Sequence, residues 1–139
     1  MKEESPSSSR SIQYYVAATK WNSDLNFFKI EASFFRRLLD RRLKNVFPTG
    51  SAVAQWEIRQ KLEALETEQC YTEKKLGMQL REIELMAEDV IPENIDALVS
   101  MQVQLEFAMA ALTKTFREVK KEIFGLIDGD MISSDTFVA

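Results

Sequence analysis

The chain has 139 residues, 45% of them hydrophobic and 29% charged, the make-up of a single soluble domain with enough apolar material for its own core. Its 22 acidic and 18 basic side chains leave a net charge of −4, and it contains no histidine. That absence excludes Ser-His-Asp triads, Cys–His nucleophile pairs and the usual zinc, haem and di-iron ligand sets.

The first ten residues, MKEESPSSSR, are polar and predict a flexible leader. The apolar run that follows, Ile12 to Ala18, is interrupted by Gln13 and is too short for a secretory core region. No stretch approaches the ~20 apolar residues of a membrane-spanning helix, so no transmembrane segment is expected. Cys70 is the only cysteine, which precludes an intramolecular disulfide and makes a cytoplasmic protein the default expectation.

Trp21, Leu25, Phe28, Ala32, Phe35, Leu39, Leu43 and Val46 step by fours and threes, the spacing of one helical face. Counting backwards by the same step reaches Ala18, Tyr14 and Ser11, which predicts a first helix near 11–47 with an irregularity near Asn22–Asp24. Pro48 and Gly50 then make a turn.

A second helix is expected near 51–90, its seam formed by Ile58, Leu62, Leu65, Gln69, Thr72, Leu76, Gln79, Ile83, Met86 and Val90. Gly77 within it costs about 1 kcal/mol relative to alanine. The third helix, near 92–126, has the cleanest seam: Ile91, Ile95, Leu98, Gln102, Leu105, Met109, Leu112, Phe116, Val119, Ile123 and Leu126. Pro92 suits its first turn, Glu93 and Asp96 favour the positive end of its dipole, and Gly125 marks its stop. A flexible tail, 128–139, completes the chain.

Three long helices joined by short turns run up, down and up, so the fold class is all-α, an elongated antiparallel three-helix bundle with coiled-coil-like packing. The two turns bring together residues whose numbers sum to about 98 and about 182. By that register Gln79 faces Gln102 across the core, a buried polar pair of the kind that fixes register.

No constellation carries chemistry. Glu63-x-x-Glu66 and Glu93-x-x-Asp96 resemble the magnesium-binding pairs of all-α nucleotide pyrophosphohydrolases, but the bundle sets them far apart along its length. Cys70 lies between Glu68 and Glu73 with no histidine to activate it, and it reads as a half-buried inert thiol. No Gly-rich phosphate loop, metal-ligand or dinucleotide motif occurs, so neither catalytic residues nor a cofactor is expected and the chain reads as non-enzymatic.

Two surfaces are candidates for contact. Phe27, Phe34 and Leu38 on the first helix, with Val99, Val103 and Phe107 on the third, lie off the seams, and this surplus predicts a self-association surface and a homodimer. Charge supplies the other. Residues 36–62 carry seven basic and two acidic side chains, residues 63–112 three and eleven, and residues 113–124 four and two. The bundle thus gathers Arg37, Arg41, Lys44, Lys61, Arg117, Lys120 and Lys121 at one end, a candidate docking surface for an acidic protein, a membrane surface or nucleic acid. Nucleic acid is the least favoured of these, given the negative total and the lack of a recognition motif.

Overall fold

The computed structural model describes the backbone of residues 6–42 and 51–138, and the side chains of residues 10–41 and 53–127. It contains three helices, α1 (Pro6–Arg42), α2 (Ser51–Ala87) and α3 (Ile95–Val138), and no strand among the described residues. The fold is an all-α three-helix bundle. Leu43, Lys44, Val46 and the Pro48–Gly50 turn lie outside the described residues.

Helix boundaries depart from the expected ones at four places. Helix α1 begins at Pro6, inside the polar leader, and runs unbroken past Asn22–Asp24. Proline suits a first helical position because its missing N–H would have no intrahelical partner there. Helix α2 stops at Ala87, three residues early, in a Schellman motif. Asp89 takes the left-handed conformation (φ 59°), its N–H bonds Met86 O at 3.1 Å, and the Val90 N–H bonds Leu85 O at 2.9 Å.

Helix α3 starts at Ile95 rather than at Pro92. Its N-cap is Asn94, whose Oδ1 accepts the Ala97 N–H at 3.1 Å, leaving Pro92 and Glu93 in the connector. At the other end α3 passes through Gly125 and the expected tail to Val138. One glycine costs about 1 kcal/mol relative to alanine, which is too little to stop a 44-residue helix.

The bundle comprises two compact units, residues 1–27 with 69–111 and residues 28–68 with 112–139. In the first, α1, α2 and α3 bury Ala18, Leu25, Leu76, Ile83, Leu98, Leu105 and Met109. The four buried polar side chains found among the described residues, Gln69, Thr72, Gln79 and Gln102, also lie in this unit. Gln79 Nε2 donates to Gln102 Oε1 at 3.2 Å and to Leu98 O at 3.0 Å, so the two glutamines meet in the register read from the turns.

The second unit has an apolar core containing Phe35, Leu39, Leu62, Leu65, Phe116 and Ile123. Phe35 touches the rings of Phe34, Phe116 and Phe124, with centroids 5.7, 6.2 and 5.6 Å away, and Phe28 stacks on Phe116 at 4.9 Å. Ion pairs report the register independently. Arg36 meets Glu66 and Asp40 meets Arg59, both at 2.7 Å, their numbers sums of 102 and 99, so α1 and α2 are antiparallel there. Lys120 on α3 meets Glu31 on α1 at 3.0 Å and Phe124 meets Phe35, a constant offset of 89, so these two helices run parallel.

The seams are buried as their spacing predicts from Leu25 to Leu39, Ile58 to Ile83 and Leu98 to Ile123, with Phe28 half-buried among them. At the last described turn of α3, Ile127 takes the buried position expected of Leu126, because 3.6 residues per turn drifts against a 3.5-residue repeat. By length and composition alone Ile95–Ile127 is apolar enough to cross a membrane, with a window of mean hydropathy 1.3. That stretch was not visible as an uninterrupted apolar run, since Asp96 and Glu106 fall inside it. Its seam residues are core residues of the bundle, while only 28% of that window is buried.

Candidate functional site

The early stop of α2 opens a concavity. In the first unit the start of α1, the end of α2 and the connector 88–94 enclose an open cavity of about 790 Å³. That volume is within the range of ligand and peptide-anchor pockets. Ile12 and Tyr15 form one wall, Ile83, Met86 and Ala87 another, and Val90, Ile91 and Pro92 a third. Val90, expected on the seam, closes the Schellman turn past the end of α2 and is 63% exposed.

Four carboxylates share this lining, those of Glu84, Glu88, Asp89 and Glu93, and no Lys or Arg does. Glu93 Oε1 accepts the Ser11 hydroxyl at 3.3 Å, tying the connector to α1. The one-sided charge is a property of the sequence, for Glu82 to Thr113 contains seven carboxylates and no basic residue. Arg10, just before the α1 wall, is the nearest cation along that helix and is exposed. As a whole the first unit carries six basic and eleven acidic side chains.

The second unit carries twelve basic and eleven acidic side chains. Every described member of the candidate anion-docking set falls in it: Arg37, Arg41, Lys61, Arg117, Lys120 and Lys121. Lys61 is paired with Glu122 at 2.9 Å and Lys120 with Glu31 at 3.0 Å. The hydrogen bond that Lys61 donates to Glu122 holds its ammonium above its ordinary pKa, and the one that Arg36 donates to Glu66 does the same for its guanidinium. The large positive excess counted along the sequence is thus nearly cancelled within its own unit, because Glu31, Glu63, Glu66 and Glu68, together with three aspartates of residues 128–139, belong to the same unit as the arginines.

The candidate self-association residues divide between the units. Phe27, Val99, Val103 and Phe107 belong to the first, with Phe107 at 73% exposure and Val99 half-buried. Phe34 and Leu38 belong to the second, the former exposed and the latter half-buried. Sequence reasoning missed Ile30, 66% exposed, although its spacing of three from Phe27 and four from Phe34 places all three on one helical face.

The two carboxylate pairs considered for metal binding lie in different units, and Glu66 is taken up by Arg36. No group of three or more Asp, Glu or Cys suited to a metal ion gathers among the described residues. Cys70, expected to be half-buried, is exposed, because it follows Gln69 on the flank of α2 turned away from the core. Comparison of the chain with known protein families, with curated proteins and with solved structures finds no match.

Proposed function

We propose that this chain is a non-enzymatic protein–protein interaction module whose docking site is the cavity beside the α2–α3 connector. The observation that carries the reading is a concavity with apolar walls and carboxylates as its only charged lining. Such a lining suits a helical segment that presents apolar side chains together with Lys or Arg, since burying the apolar part strengthens the ion pairs at its edge. Exposed apolar side chains elsewhere, Phe107 and Ile30 among them, fit a surface made for contact.

The alternative, an anionic partner on the basic residues, has less support. Two of the six described candidates already hold a carboxylate, and their unit has a net charge of only +1.

Fluorescence anisotropy with a labelled amphipathic Leu/Lys helical peptide tests the proposal. Binding is expected at low salt, is expected to weaken as salt rises, and is expected to be lost in Ile12→Glu/Val90→Glu. No binding of this peptide at low salt, with heparin bound instead, overturns the reading in favour of the alternative.

A further inference from the structure

The chemistry that the cavity would recognise is present on this chain's own second unit. On α1, Ile30, Phe34, Arg37 and Arg41 follow one another by four, three and four, so they lie along one helical face. All four are exposed, and neither arginine holds a carboxylate among the described residues, in contrast to Arg36 and Arg59 beside them. That face carries two large apolar side chains and two uncompensated guanidinium groups. The cavity of the first unit offers apolar walls, four carboxylates and no cation.

We infer that the occupant of the cavity is a second copy of this chain, docking by its Ile30–Phe34–Arg37–Arg41 face. The inference rests on the interaction-module reading and names its partner. Ile30 and Phe34 fill the apolar space between Ile12, Val90 and Ile91, and the arginines meet Glu84 and Glu88 at its edge. Arginine suits this position because its planar fork binds a carboxylate through two parallel hydrogen bonds. Every copy carries both halves, so association proceeds without any other protein.

The test is light scattering of the full chain across protein concentration and salt, with circular dichroism to confirm that each variant is helical. Wild-type protein is expected to exceed the 16.0 kDa monomer mass at about 50 mM salt and return to it at about 0.5 M. Arg37→Glu/Arg41→Glu and Glu84→Arg/Glu88→Arg are each expected to be monomeric alone. Mixing the two is expected to restore association, because the altered cavity of one then faces the altered helix of the other.

A wild-type protein that stays monomeric at low salt while binding the Leu/Lys peptide overturns self-docking and leaves the interaction-module reading standing. Association that neither reversal weakens overturns it as well, since another face is then in use. Should a reversed variant fail to fold, Arg37→Gln/Arg41→Gln supplies the same comparison, and an unchanged mass at low salt counts against the inference.

Discussion

Gln79 and Gln102 are hydrogen-bonded across the buried interface of α2 and α3, and Gln79 reaches the Leu98 carbonyl with the same nitrogen. Replacing Gln79 by leucine removes the donor and leaves Gln102 Oε1 without that partner in an apolar setting, a loss of about 1–3 kcal/mol. Gln79→Leu/Gln102→Leu is expected to recover most of it, because both polar groups then leave the core together. A double-mutant cycle by urea denaturation checks this. A double variant no more stable than Gln79→Leu would show that the pair is not coupled.

Gly77 and Gly125 sit inside helices with nothing within 4 Å of where a Cβ would stand, and both are exposed. Gly77→Ala and Gly125→Ala are each expected to stabilise the chain by about 0.5–1 kcal/mol, chiefly by restricting the unfolded state. Thermal denaturation of each variant gives the answer; a fall in Tm for either one would contradict it.

Asp89 ends α2 with a positive φ and places a negative charge at a helix C-terminus, where the dipole disfavours it. Asp89→Gly relieves both and is expected to stabilise by about 0.5–1 kcal/mol, whereas β-branched Asp89→Val is expected to destabilise by about 1–2 kcal/mol. Opposite signs in chemical denaturation are the outcome to look for.

Phe35 is 2% exposed and touches three other rings. Its truncation to alanine is expected to cost about 3–5 kcal/mol, the usual loss for a large core aromatic. Phe107→Ala, at a position that is 73% exposed, is expected to stay within about 0.5 kcal/mol of wild type. The pair separates aromatics that hold the bundle from those presented at its surface.

The Lys61–Glu122 pair gives a pH signature. Because Glu122 raises the Lys61 pKa above its ordinary 10.5, the pair's contribution is full below that value and fades as pH rises through the higher folded value. The difference in Tm between wild type and Lys61→Met is thus expected to be small and flat through neutral pH, to shrink in alkaline solution, and to shrink with added salt. A difference that grew on alkalinisation would contradict this.

The seams, the antiparallel order and the glutamine contact were legible because helical spacing and turn position determine them almost alone. The helix ends were less so. A Schellman turn with aspartate rather than glycine at its left-handed position leaves only a weak trace in the sequence, and Asn94 was hidden as a cap by the more conspicuous Pro92. The cavity follows from that same early stop, so it too was invisible in a periodic pattern that carried the seam on to Val90. Its charge was visible in the run from Glu82 to Thr113 without a basic residue. The basic set was overestimated because charge counted along the chain ignores which carboxylates the fold brings back among the arginines.

The uneven distribution of buried polarity bears on how the chain opens. One unit closes over leucines and interlocked phenylalanine rings, while the other keeps three glutamines and a threonine in its interior. Replacing apolar seam positions by polar ones lowers the free energy gained per turn, so local opening is cheaper there. Amide protons around Phe35 and Phe116 are therefore expected to exchange only with global unfolding, and those around Gln69 and Thr72 through smaller fluctuations. The unit that carries the proposed docking cavity is then also the one with the greater freedom to adjust around an occupant.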